Sequence, residues 1–213
     1  MTERGILIII SGFSGSGKGT IVKELMRRYP EDYALSISAT TRNPREGEVH
    51  GREYFFKTVD EFKAMIEAEE LLEYACYVDN YYGTPKEYVR EQLYQGKNVI
   101  LEIEIQGALK IREKFPETLL LFVMPPTAEI LYERLTGRGT ETPEVIRSRM
   151  QRAAEEAEGC EAYDYLIIND DLSECVEQVN SLIRRERHRM SYNLDLIEAF
   201  KAQLQEFSKG EEK

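Results

Sequence analysis

The residues with chemistry in them open the chain. Gly12-Phe13-Ser14-Gly15-Ser16-Gly17-Lys18-Gly19-Thr20 follows the apolar run Ile6–Ile10. Gly12-x-x-x-x-Gly17-Lys18 has the spacing of a phosphate-binding loop, except that Gly19 stands where the generic motif has Ser or Thr, with Thr20 one place later. The residue types suit an anion. Glycines let the backbone curl until several N–H groups point at one phosphate. A helix expected from about Thr20 adds the positive end of its dipole, and Lys18 adds a full charge.

Other charged groups fall in places that invite a ligand. The polar stretch Ser38-Ala-Thr-Thr-Arg42-Asn-Pro-Arg45-Glu-Gly-Glu48 reads as a loop carrying two arginines. Asn98–Ile105 reads as an apolar strand with Glu102 and Glu104 on one face, costly there unless they meet a cation or a polar pocket. Gly137-Arg138-Gly139 interrupts a helical pattern, as at the hinge of a lid, and Arg147, Arg149 and Arg152 follow on the next helix.

These groups must be positioned by a regular frame. Strand patterns recur at Tyr33–Ser38, Glu53–Phe56, Thr118–Met124 and Tyr163–Ile168. Helical patterns recur over 21–29, 60–70, 85–95, 106–115, 128–135, 143–158, 172–190 and 194–207. Strand and helix alternate, which predicts a mostly parallel sheet with helices on both faces.

Bulk properties narrow the class. The chain has 213 residues and a net charge of −11, which argues against a general binder of nucleic acid or anionic membrane. No stretch approaches the ~20 apolar residues of a membrane span, and Ile6–Ile10 is too short for a signal peptide, so a cytosolic protein is expected. Cys76, Cys160 and Cys175 make no C-x-x-C pair, and His50 and His188 lie far apart; all five are read as structural or surface residues.

Taken together, Ser11–Thr20, Ser38-x-Thr-Thr-Arg42-x-Pro-Arg45-x-Gly-Glu, Asn80-Tyr-Tyr82-Gly83-Thr84, Gly137-Arg138-Gly-Thr-Glu and Asn169-Asp-Asp resemble the guanylate kinase family over about residues 5–190. The resemblance implies an α/β fold: a P-loop core with a mostly parallel sheet (about 1–37, 85–136 and 153–190), a mixed α/β GMP-binding insert (about 38–84) and a helical lid (about 137–152). A further helix is expected over about 191–207. That tail has two placements open to it, its own core or a second copy in a homo-oligomer.

The implied reaction is phosphoryl transfer from MgATP to GMP. By resemblance, the loop from Gly12 to Thr20 (Gly12, Phe13, Ser14, Gly15, Ser16, Gly17, Lys18, Gly19, Thr20) takes the ATP phosphates and Asn169 touches adenine. Arg42 and Arg45 grip the GMP phosphate, with Tyr54 and Tyr82 adding hydroxyls; guanidinium forks match phosphate oxygens in pairs. Arg134, Arg138 and Arg149 close on the transferring group. Guanine rests on Glu73 with Ser38, Gly83 and Thr84, because one carboxylate accepts from both N1–H and the exocyclic amine. Glu104 belongs to the monophosphate side, and Glu102 stands near Mg²⁺ through water. Two other readings use the same fold: a catalytically silent module that binds phosphorylated peptides, and a kinase for another nucleoside monophosphate. The intact loop argues against the first and Glu73 against the second.

Overall fold

A computed structural model describes residues 4–77, 79–137 and 142–209. In chain order, β1 (Leu7–Gly12) leads through the glycine loop to α1 (Lys18–Arg28) and β2 (Tyr33–Leu35). Then come β3 (Ala39–Thr40), β4 (Phe55–Phe56), α2 (Val59–Glu67), β5 (Leu71–Tyr77), β6 (Asn80–Pro85) and α3 (Lys86–Tyr94). The chain continues as β7 (Asn98–Leu101), α4 (Ile105–Lys114), β8 (Leu119–Met124), α5 (Ala128–Thr136) and α6 (Pro143–Ala157). It finishes with β9 (Tyr165–Ile168), α7 (Leu172–Glu186) and α8 (Leu194–Lys209).

Five strands form one parallel sheet in the order β2-β7-β1-β8-β9. Both its faces are covered, which explains why β1 is apolar at successive positions instead of alternating. Ile6, Ile8 and Ile10 pack with Leu121 and Val123 against α1 and α7 (Ile21, Leu25, Val176, Val179, Ile183). Leu7, Ile9, Val99, Leu101 and Leu120 face the other way, onto Val89 and Leu93 of α3 and Ala108 and Ile111 of α4. β2 lies to one side of β1, and β8 and β9 to the other. In such sheets the crevice for ligands forms at the carboxyl ends of the strands, and the loop after β1 is placed there.

The second sheet has the order β4-β3-β6-β5; β3 is parallel to β4, and β6 is antiparallel to both β3 and β5. Its core is small: Ala39, Phe62 and Leu71 are buried, with Phe55, Met65, Ile66 and Tyr81 packed on them. Phe62 comes from α2, which is started by a capping box: Thr58 Oγ1 accepts from Glu61 N at 3.2 Å, and Glu61 Oε2 accepts from Thr58 N at 2.7 Å.

Several expected boundaries move. The strand read over Asn98–Ile105 stops at Leu101, and Glu104 becomes the N-cap residue of α4. A carboxylate in a sheet covered on both faces has neither water nor partner, so the strand ends where the acids begin. The helix read to Met190 ends at Glu186. Just beyond it Arg187 turns inward, donating to Gly96 O at 3.0 Å and to Asn98 Oδ1 at 3.1 Å. Asn98 Oδ1 also accepts from Ile6 N at 3.2 Å, so one buried amide ties two strands to the last turn of the core. α1 begins at Lys18, Pro85 is the N-cap of α3 and not its first residue, and strand pairing at Glu53–Tyr54 shrinks to a single bridge, His50 to Tyr54.

Because the smaller sheet has so thin a core, Phe62→Ala is expected to cost about 3–5 kcal/mol locally. Amide hydrogen exchange should show β3, β5 and β6 losing protection while β1, β7 and β8 keep theirs; equal loss in both sheets would show that they unfold as one unit.

Candidate active site

Backbone geometry at the end of β1 builds the anion cradle. Gly12 has φ +147°, and a Cβ there would lie 2.0 Å from Val123 O on the neighbouring strand. Gly17 has φ +91° and caps α1; a Cβ there would lie 2.3 Å from Asn169 Nδ2. That amide donates to Ser16 O at 2.8 Å, and Asn169 N donates to Met124 O at 2.8 Å, so the loop is braced from behind. Phe13 meets Phe122 edge to face at 5.1 Å. Ser16 Oγ is buried with no hydrogen-bond partner among the described residues, inside a loop whose composition suits an oxygen-rich ligand.

Lys18 folds back over this loop. Its Nζ donates to Gly12 O at 2.5 Å and Phe13 O at 3.1 Å. Burial lowers the pKa of this ammonium, while Glu156, Glu102 and Glu104 pull it back toward the charged form. A cavity of about 550 Å³ opens in front of it, lined by Gly12, Ser14, Glu102, Glu104, Arg149 and Arg152 among others. Loss of water pushes the Glu102 carboxyl above the usual range, countered by Lys18. Glu102 Oε1 is 3.7 Å from where a Cβ of Gly19 would stand. Arg149, from α6, already donates from Nη1 to Ser14 Oγ at 3.2 Å.

The second sheet supplies another set of groups. Thr84 Oγ1 donates to Glu73 Oε1 at 2.8 Å. Burial raises the pKa of Glu73, and the Thr84 hydrogen bond and Lys110 lower it in part. Strand register shifts between Leu71 and Tyr74, so a bulge sets the direction of Glu73. Gly83, opposite, allows the close approach: its Cβ would lie 2.9 Å from Glu73 O. Arg42 pairs with Glu48 (Nη2 to Oε1, 2.9 Å) and donates to Asn43 O at 2.8 Å. Its guanidinium carbon lies 5.2 Å from the Tyr54 ring centre, and the Tyr54 and Tyr82 rings are 6.1 Å apart.

The structure therefore gathers Lys18, Glu102, Glu104 and Arg149 around one cavity, Glu73 with Thr84, and Arg42 with Tyr54 and Tyr82. The first turn of α4 joins the first two groups: Glu104 caps it, and Gly107 faces Glu73, with 3.5 Å from its would-be Cβ to Oε2. Thr20 and Gly19 are exposed beside the loop, and Ser38 is half-buried, holding β4 through its carbonyl (Phe55 N to Ser38 O, 2.9 Å). Arg45 is exposed, and its backbone N–H donates to Glu48 Oε2 at 2.7 Å.

Three expectations change. Glu102 and Glu104 do not share a strand face; they sit in and at the end of the β7–α4 connection. Asn169, expected at adenine, spends its side-chain amide on Ser16 and is 7% exposed, so in this conformation it positions the loop. Arg134 likewise lies behind the loop, donating from Nη2 to Asn169 O at 2.9 Å. Arg138 lies outside the described residues. The site also holds a pair that the sequence reading left out. Arg152 Nη2 bonds Glu104 Oε1 at 2.6 Å and its Nε bonds Glu156 Oε1 at 3.2 Å, bridging α6 to the start of α4. The signal was present: Arg149, Arg152 and Glu156 recur three and four residues apart, on one helix face.

Comparison with known proteins gives one answer. The guanylate kinase family model matches residues 4–186. Guanylate kinase of Halalkalibacterium halodurans is 53% identical over 184 residues, covering 86% of this chain and 90% of that protein. Guanylate kinase of Caldanaerobacter subterraneus subsp. tengcongensis is 51% identical over 194 residues, covering 91% and 94%. The crystal structure of guanylate kinase from Anaplasma phagocytophilum is similar in fold, with TM-score 0.69, 30% identity and 88% of each chain covered.

Two outcomes test the geometry itself. Gly17→Ala should weaken tripolyphosphate binding at least ~10-fold by calorimetry, since the new methyl collides with the brace at Asn169; unchanged binding would separate the loop's shape from its affinity. Glu73 is a carboxyl whose pKa is raised by folding. Its ionisation costs stability as pH rises through the window above 4.5. Glu73→Gln, which can still accept from Thr84, should therefore melt no lower than the parent at neutral pH and up to about 2–4 °C higher. That gain should vanish when both are measured below the ordinary carboxylate range.

Proposed function

This chain belongs to the guanylate kinase family, and on that footing we propose that it transfers a phosphoryl group from ATP to GMP, giving ADP and GDP. The observation that carries this reading is the bridge just described: the first turn of α4 links a lysine-bearing phosphate loop to a carboxylate–threonine pair set on a separate sheet. One side suits polyphosphate and the other suits a base with two adjacent donors.

Two anions must be brought into contact, so the chain's cations have to cancel their repulsion. In this reading the loop amides and Lys18 hold the donor phosphates, exchanging the carbonyls of Gly12 and Phe13 for phosphate oxygens. Arg42 and Arg45 take the acceptor phosphate, with Tyr54 and Tyr82 donating beside them. For Arg42 this means leaving Glu48 and the Asn43 carbonyl. Arg149 reaches the loop from α6, where charge builds on the moving group; Arg138 completes the set. No general base is required, because the second ionisation of a phosphate monoester, near pKa ~6, leaves the acceptor an anion at neutral pH. Glu73 accepts from guanine N1–H and the exocyclic amine. Adenine would turn a lone pair to the same carboxylate, and a site of that kind can discriminate by about 10⁴. The two donors also relieve the desolvation that raises the Glu73 pKa.

The donor set fits Mg²⁺ arriving with ATP. Glu102 offers a hard oxygen ligand at the cleft, while no cluster of three or more His, Cys, Asp or Glu among the described residues forms a metal cage of its own. When bound, Mg²⁺ neutralises charge on the donor phosphate oxygens. Glu102 would hold it through water and Ser16 Oγ would face the same group. In this reading about residues 38–84 are the GMP-binding insert and about 137–152 the lid, of which 138–141 lie outside the described residues. ATP and GMP are the partners, and the cytoplasm, where both are met, is the location.

A coupled ADP-release assay with MgATP and each of GMP, AMP, CMP and UMP tests this directly; turnover should occur with GMP and fall to background with AMP. Lys18→Ala should fold and lose at least ~10²-fold in turnover, and Glu73→Gln should raise KM for GMP far more than KM for ATP. A folded wild type inert with GMP, or equal losses for both nucleotides in Glu73→Gln, would refute the assignment.

A further inference from the structure

β1 and β7 run side by side only as far as Leu101. Leu7, Ile8 and Ile9 pair with Val99, Ile100 and Leu101, while on its other side β1 stays paired with β8 as far as Gly12 and Val123. Past Leu101 the two strands part, and the cavity in front of Lys18 lies in the split. A hydroxyl crosses that split: Ser11 Oγ donates to Ile103 O at 2.6 Å. The register, carried two residues on, sets Ser11 opposite Ile103, so the side chain stands in for the ladder where the ladder has ended.

Ser11 is polar where its strand is otherwise apolar. It follows Leu7 and Ile9 onto the face covered by α3 and α4, and it is 2% exposed. A hydroxyl so buried needs an acceptor, and Ile103 supplies it. Ile103 is flanked by Glu102 and Glu104, and Gly12, beside Ser11, gives a carbonyl on which Lys18 Nζ lies. The contact therefore ties the backbone that carries the acids to the backbone that seats the lysine. Glu102 Oε1 ends 3.7 Å from where a Cβ of Gly19 would stand. In the generic loop that position brings Mg²⁺ a hydroxyl; in this chain it brings none, and the carboxylate faces it instead.

We propose that Ser11 is a positioning residue, whose buried hydroxyl sets Glu102 at the open side of Gly19 so that the carboxylate meets Mg²⁺ on the donor polyphosphate through water. This role rests on the phosphotransfer reading, which brings the metal to Glu102. It differs from a bond that merely satisfies a carbonyl. A fold contact would change the melting temperature alone, whereas a positioning contact changes how much the metal adds to nucleotide binding.

Calorimetry on the full chain with ATP, in EDTA and in excess Mg²⁺, reads that increment without turnover. In the parent, Mg²⁺ should tighten ATP binding at least ~10-fold. Glu102→Gln should remove most of this gain, and Ser11→Ala should remove as much, since groups that orient a metal's ligands are worth about 10-fold or more. The double variant should lose no more than either single one, because both act on one contact. Ser11→Cys keeps the shape with a weaker donor and should lose part of the gain; it takes over the test if the alanine variant does not fold. A Ser11→Ala that melts lower and keeps the parent's gain, while Glu102→Gln loses it, overturns the proposal. So do losses that add in the double variant. A parent without the gain, or a Glu102→Gln that keeps it, refutes the metal reading of Glu102 and the positioning role with it, whereas the transfer itself stands or falls on the ADP-release assay.

Discussion

Cations gathered for a phosphate must be kept content before the phosphate arrives. This chain satisfies them with its own oxygen atoms. Lys18 lies on two loop carbonyls, Arg42 on Glu48 and the Asn43 carbonyl, Arg152 on Glu104 and Glu156. For Lys18 the arrangement avoids a buried bare charge, which is far costlier than an exchanged hydrogen bond. An acidic protein can in this way set Lys18, Arg149 and Arg152 around one cleft, with Glu102, Glu104 and Glu156 among them.

Holding the lysine there depends on the backbone more than on side chains. Gly12 and Gly17 occupy conformations and clearances that an L side chain would spoil, and the brace that excludes it at Gly17 is Asn169, some 150 residues away in sequence. The phosphate cradle is thus a property of β1, β8 and the end of β9 together. Phe13 on Phe122, and Phe122 on Tyr163 at 5.2 Å, continue the same contact from the loop through the sheet.

Much of this was legible from residue order because the signals were local. Apolar Ile6–Ile10, short and followed by glycines, reads as a strand covered on both faces, and the glycine spacing after it has one good physical use. The parallel α/β frame followed from alternation. Less legible were features set by distant partners. Nothing in Glu102 or Glu104 reveals that the strand gives out at Leu101; that depends on α3 and α4 sealing the sheet face. The bulge that aims Glu73 requires the register of β5 on β6, which pattern alone leaves free. Arg152 was visible as one of several helical arginines, and only the packing of α6 over α4 distinguishes it. Arg187 follows a helical pattern in the residue order, and only the fold ties it to Asn98.

The order of strands in the main sheet has a bearing on how the molecule comes into being. β1 is made first, yet its neighbours are β7 and β8: Leu7 sits beside Val99, and Ile8 beside Leu119. Contacts at that sequence separation form slowly, because a long span of chain must be closed before any energy is returned. On the ribosome, the glycine loop therefore emerges without the Val123 carbonyl and the Asn169 amide that shape it. Nucleotide affinity should arise late and abruptly, once the chain through Asn169 has left the ribosome, and a nascent chain halted before β9 should be unable to draw on ATP as a folding ligand.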